Sequence, residues 1–86
     1  MEVHITKEKL YRIRRVHALT VAQMGALLGV TDGYVSQMET GYAPITRRME
    51  RKIIEAFNLT PNTMRGITLY YNRFIRDYGD KERVKK

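Results

Sequence analysis

The residue types that carry out catalysis or hold metals are few in this sequence and far apart. There are two histidines, His4 and His17, and no cysteine. Neither histidine has a partner at metal-ligand spacing, and no nucleophile, base and orienting acid occur together. The glycines do not form the loop that cradles phosphates in nucleotide-binding enzymes. The sequence therefore predicts no enzyme, no metal site, no cofactor and no small-molecule substrate.

Positive charge is the dominant chemical feature of the chain. Its 86 residues contain 16 Lys and Arg against 9 Asp and Glu, a formal net charge of +7. The basic residues flank residues 20–44, which contain two acids and no Lys or Arg. An excess of cations favours a polyanionic partner, because neutralising phosphates releases counterions. The composition predicts a nucleic-acid partner.

The remaining composition is that of an ordinary small domain, with 43% hydrophobic and 29% charged residues. No apolar run approaches the roughly 20 residues that cross a bilayer. The charged N-terminus lacks the apolar centre of a signal peptide. We therefore expect a cytoplasmic protein without a membrane contact. A chain this short buries a small share of its surface, so a partner chain would stabilise it.

Five threonines stand where helix N-caps are expected, each before a stretch with apolar residues at helical spacing. They are Thr6, Thr20, Thr31, Thr46 and Thr60. They predict helices over roughly residues 7–17, 21–28, 32–40, 47–57 and 61–78. Gly41, Asn58 and Gly79 are the expected ends of the last three. No alternation typical of strands is visible, so the predicted fold class is all-α: a compact five-helix domain with an extended C-terminal helix.

Apolar spacing predicts which helix faces are buried. In the second helix the candidates for the core are Val21, Met24, Leu27 and Leu28, and in the fourth they are Met49, Ile53, Ala56 and Phe57. In the fifth helix apolar residues recur at intervals of three and four, as in an apolar seam. This seam consists of Met64, Ile67, Tyr71, Phe74 and Tyr78.

The most specific pattern is the block from Ala18 to Gly41, ALTVAQMGALLGVTDGYVSQMETG. Its marker positions are Gly25, Gly29, Val30, Val35 and the closing Glu39, Thr40, Gly41. Without a gap, the block resembles the helix-turn-helix of the phage-repressor and Cro family, and the resemblance covers roughly residues 10–60. It implies a structural ion pair of Arg14 with Glu39. It also implies a regulator of transcription that binds double-stranded DNA.

The resemblance makes the third helix the recognition helix, which lies in the major groove. The implied base-reading residues are Thr31, Asp32, Gly33, Tyr34 and Gln37. Gln37 is the strongest candidate, because its amide can offer a donor and an acceptor to adenine. The alternative for each residue taken alone is a solvated polar face, and several will be bystanders.

Phosphate contacts must come from outside the third helix, which contains no Lys or Arg. In the family, the residues that follow the recognition helix contact the DNA backbone. Here these are Thr40, Tyr42, Arg47 and Arg48. Lys9, Arg12 and Arg15 are weaker candidates, because runs of charge are more often solvated faces.

The C-terminal seam has two interpretations. It could close the core of one chain, or it could form a homodimer interface, as in small repressors that bind two half-sites. We expect the second, with residues 1–59 as the helix-turn-helix DNA-binding domain, 60–79 as the dimerisation helix and 80–86 as a basic tail. The expected function is that of a phage or bacterial repressor of an inverted-repeat operator. The alternative is an antitoxin-like protein of the same fold that binds a protein partner and regulates its own operon.

Overall fold

Five α-helices follow one another in the computed structural model, which describes residues 3–76. They are α1 (Lys7–Val16), α2 (Val21–Leu28), α3 (Asp32–Thr40), α4 (Arg47–Phe57) and α5 (Pro61–Tyr70), and α5 continues into a π-helical segment (Tyr71–Ile75). The predicted fold class is confirmed, since all regular elements in this range are helical. None of these helices is long and apolar enough to span a membrane. Tyr78, Gly79 and the predicted tail 80–86 lie outside the described residues.

Each α-helix begins at its predicted threonine, whose hydroxyl accepts the backbone N–H three residues further on. At Thr20 the backbone N–H donates in return to the Gln23 side chain, at 2.9 Å, and closes a capping box. Thr60 and Thr63 form a second capping box. These hydroxyls satisfy N–H groups that the first helical turn leaves unpaired, and each contributes about 1 kcal/mol.

Three helices end on a residue in the left-handed region. Gly29, Gly41 and Asn58 have φ of 73°, 87° and 51°. Glycine adopts this conformation without a Cβ penalty, and asparagine tolerates it better than most residues. α1 ends one residue earlier than predicted, and Ala18 just beyond it has φ 56°.

The core lies between α1, α2, α3 and α4. Its fully buried side chains are Leu10, Ile13, Met24, Val35, Met38 and Ile53. The segment before α1 also enters the core through Val3 and Ile5, although the sequence pattern did not indicate it. This segment is held to α4, because the Ile5 N–H donates to the Glu50 carboxylate at 2.7 Å and His4 Nδ1 lies 3.0 Å from the same oxygen.

Two residues predicted for the core are exposed instead. Leu27 is 56% exposed, and Ala56 is exposed beside it in a shallow groove between α2 and α4. Successive helical residues point about 100° apart. Because α2 packs through Met24, Gly25 and Leu28, Leu27 turns outward.

The C-terminal seam divides between core and surface. Met64 and Tyr71 are buried and Ile67 packs against the core, whereas Phe74 is 55% exposed. A π turn closes i→i+5 hydrogen bonds, so residues within it depart from the 3.6-residue period. Met64 and Tyr71 are thus buried within one chain, as in the interpretation that the seam closes the core. Pairing of two chains through the exposed remainder stays a prediction.

Candidate nucleic-acid interface

Gly25 allows α2 and α3 to approach each other closely. It is buried, and a Cβ built on it would lie 2.6 Å from the Val30 carbonyl oxygen, far inside van der Waals contact. The Val30 N–H donates to the Gly25 carbonyl at 2.9 Å across the same turn. Only glycine fits this position without a backbone shift. The tight turn orients α3 relative to α2.

A largely buried ion pair joins α1 to the end of α3. Arg14 Nε donates to Glu39 Oε2 at 2.7 Å and Nη2 donates to Oε1 at 3.0 Å, a bidentate arrangement. The third nitrogen, Nη1, donates to the Leu19 carbonyl at 2.9 Å. The two side chains are only 13% and 8% exposed. This pair neutralises the carboxylate of Glu39 and ties the last turn of α3 to α1.

The outward face of α3 is polar, and only some of its side chains form hydrogen bonds within the described part of the chain. Thr31, Asp32, Gly33 and Gln37 are exposed, while Tyr34 is half-buried against the core. The Thr31 hydroxyl accepts the Tyr34 N–H, and Asp32 Oδ1 accepts the Gly33 N–H at 2.7 Å. Both side chains therefore stabilise the start of α3. A Cβ on Gly33 would meet no atom within 4 Å, and the Gln37 amide has no hydrogen bond to any residue in the 3–76 range. Gln37 is therefore free to bond an external group.

The four residues predicted to contact phosphate are all exposed. Tyr42 is 87% exposed, and Arg47 and Arg48 open α4. Thr40 differs, because its hydroxyl donates to the Gln37 carbonyl at 3.2 Å. Its proton is thus engaged within α3. Arg47 and Arg48 are the cations closest in sequence after the end of α3, and neither forms a hydrogen bond or ion pair within the described part of the chain.

A family model described as helix-turn-helix matches residues 10–63. The match covers more than half of the chain and includes the glycine turn, the bidentate ion pair and the open face of α3. The chain belongs to the helix-turn-helix family of the Cro and phage-repressor type. This family consists of DNA-binding regulatory domains rather than enzymes, so the protein is a DNA-binding regulator. No match was found among curated proteins or among solved structures.

Two lysines of this helix-turn-helix domain lie at helix ends that contain no basic residue of their own. Lys52 of α4 donates to the Leu28 carbonyl at the end of α2, at 3.3 Å. Lys7 of α1 extends along Gly41 at the end of α3, with Nζ 3.1 Å from the position that a Cβ would take. A cation there complements the negative end of the helix dipole. No sequence pattern indicated either lysine, because only the tertiary fold brings them to these helices.

Proposed function

We propose that this protein is a sequence-specific transcriptional repressor that binds an inverted-repeat operator as a homodimer. The observation that carries the proposal is the face of α3, which is held at its start by the Gly25 turn and at its end by the Arg14–Glu39 pair. Its Gln37 amide is exposed and unbonded within residues 3–76. A rigid helix with an open amide is suited to reading base edges in the major groove.

The geometry also suggests how α3 would approach DNA. Gly33 has no side chain and open space around it, so the α3 backbone can approach a base edge closely. Gln37 lies one turn further along the same face, since residues four apart are neighbours on a helix. In this arrangement Gln37 bonds adenine, while Arg47 and Arg48 neutralise backbone phosphates. Asp32 and Thr31 position the start of the helix and approach the DNA from its end.

Dimerisation would occur through the exposed part of the C-terminal helix. Leu69, Tyr70 and Phe74 are 62%, 50% and 55% exposed, and the rings of Tyr70 and Phe74 are 4.9 Å apart. Aromatic side chains of this kind are enriched at protein interfaces. A twofold pair would place two copies of α3 about 34–36 Å apart, one turn of duplex, or at a multiple of that distance. The operator would then be an inverted repeat.

Selection of bound sequences from random duplex DNA tests the proposed function directly. The expected result is an enriched motif with twofold symmetry. Enrichment of a single asymmetric half-site would reject the dimer but retain sequence-specific binding. Co-purification of a second polypeptide with the chain would favour the antitoxin-like function over the repressor, because that function requires a protein partner.

Gln37→Ala is expected to relax base preference at one or two positions in each half-site. Removing a bidentate bond to a base corresponds to roughly 1–3 kcal/mol of discrimination. Because Gln37 is exposed, thermal stability should not change. The measurement is base selection by the variant, with Asn72→Ala, another exposed amide, as the control. Identical selection by Gln37→Ala and the wild type would remove Gln37 from the base-reading residues.

Replacing Arg47 and Arg48 together with alanine is expected to weaken binding to specific and non-specific DNA alike. The slope of log affinity against log salt should become shallower by about 0.9 for each phosphate that the variant no longer neutralises. The double variant Arg51→Ala, Arg65→Ala removes the same charge from two other exposed arginines and is the matched control. Equal slopes in the two double variants would show that Arg47 and Arg48 act only through net charge.

A further inference from the structure

Lys7 lies over the end of α3 although it belongs to α1. The three atoms that come nearest to a Cβ built on Gly41 are Nζ, Cδ and Cε of Lys7, at 3.1, 3.2 and 3.7 Å. Gly41 is the residue on which α3 ends. The lysine side chain therefore occupies the space that a side chain at position 41 would begin to fill.

The ammonium group of Lys7 forms no hydrogen bond within the described range, whereas the ammonium groups of the other lysines in that range do. Lys9 Nζ donates to the His4 carbonyl at 3.0 Å, and Lys52 Nζ donates to the Leu28 carbonyl at 3.3 Å. Lys7 forms no hydrogen bond or ion pair with any residue between 3 and 76, and it is exposed. Its positive charge is therefore held beside Gly41 at the end of α3 but is paired with no residue in this part of the chain.

The position of Lys7 extends the face of α3 that is proposed to enter the groove. Gly33 and Gln37 are four residues apart on one side of α3, and Gly41, which ends the helix with φ 87°, comes four residues after Gln37. The ammonium stands at the Gly41 end of this row. α3 has no Lys or Arg of its own, so α1 supplies a cation to the recognition surface.

We propose that Lys7 binds a DNA phosphate beside the C-terminal end of α3, in support of the DNA-binding function proposed above. A charge-assisted hydrogen bond from an ammonium to a phosphate is stronger than one from a neutral donor. The nearby Thr40 hydroxyl donates its proton to the Gln37 carbonyl, so it is not free to take this role. Two helices therefore contribute to the DNA-binding surface: α3 provides the base-reading face, and α1 provides one of the cations.

Lys7→Gln tests the proposal, with Arg65→Gln, which removes one exposed positive charge from α5, as the matched control. DNA affinity is measured by fluorescence anisotropy on the selected operator and on random duplex over a range of salt concentrations. For Lys7→Gln the slope of log affinity against log salt should become shallower by about 0.9 per bound chain. The affinity ratio of wild type to variant should fall by about threefold for each bound chain, or about tenfold for a dimer, from about 50 to about 200 mM salt. Lys7→Arg should retain the wild-type slope, and base preference should stay unchanged throughout.

Three outcomes would overturn the assignment. A wild-type slope for Lys7→Gln combined with a lower melting temperature would show that Lys7 only stabilises the end of α3 through the helix dipole. Equal slope changes for Lys7→Gln and Arg65→Gln would show that Lys7 acts only through the net charge of the protein. Failure of the wild type to select any sequence would reject the proposed function itself, and this result is obtained before any variant is made.

Discussion

Replacing Glu39 with alanine is expected to lower the free energy of unfolding by about 3–5 kcal/mol, because it leaves the Arg14 guanidinium buried without its counterion. Of its hydrogen bonds Arg14 would keep only the one to the Leu19 carbonyl, beside its cation–π contact with the Tyr11 ring. Small domains unfold with about 5–15 kcal/mol in total, so this decrease is a large fraction of the stability. Urea denaturation followed by circular dichroism measures it.

A second variant distinguishes two contributions to the free energy of unfolding. One is the penalty for leaving Arg14 buried without a partner, and the other is the net contribution of the ion pair. Arg14→Met combined with Glu39→Leu replaces both partners with apolar side chains of similar length. Such replacements are often neutral or stabilising, so the double variant should recover most of the stability that Glu39→Ala removes. The prediction is contradicted when Glu39→Ala costs less than about 1 kcal/mol, the range of an exposed ion pair.

Phe74→Glu is expected to produce a monomer that remains folded and loses most of its operator affinity. The Phe74 side chain is 55% exposed in one chain, so the substitution removes little from the monomer core. In a dimer it would bury an unpaired carboxylate, which is costly enough to separate the chains. Each half-site alone contributes only part of the binding free energy. Light scattering, helical circular dichroism and DNA titration measure the three effects.

Two further variants make the Phe74 result interpretable. Asn72→Glu adds the same charge at an exposed residue of the π segment and should leave assembly and binding unchanged. Tyr71→Glu should unfold the chain, because Tyr71 is 4% exposed and packs edge-on against Tyr11 with ring centroids 6.0 Å apart. A dimeric Phe74→Glu variant with normal DNA affinity would place the interface elsewhere on the surface.

The sequence by itself determined where the helices begin and most of where they end. An N-cap depends on one hydroxyl and the N–H three residues away, and a left-handed end depends on one glycine or asparagine. The residues that form each of these helix ends lie within a few positions of one another in the sequence. For the same reason the glycine turn could be predicted from the block containing Gly25 and Gly29, and this block identified the family later matched over residues 10–63.

Only the tertiary structure decided which residues of each apolar stripe were buried and which cations lay near α3. Periodicity shows that side chains share a helix face, but it does not show whether a neighbouring element covers them. Leu27 therefore turned out to be exposed, and Ile5 turned out to be buried. The π segment placed Tyr71 in the core and Phe74 at the surface by departing from the helical period on which the seam was based. Lys7 reached the end of α3 from 34 residues earlier in the chain, a proximity created by packing α1 against α3 and carried by no local pattern.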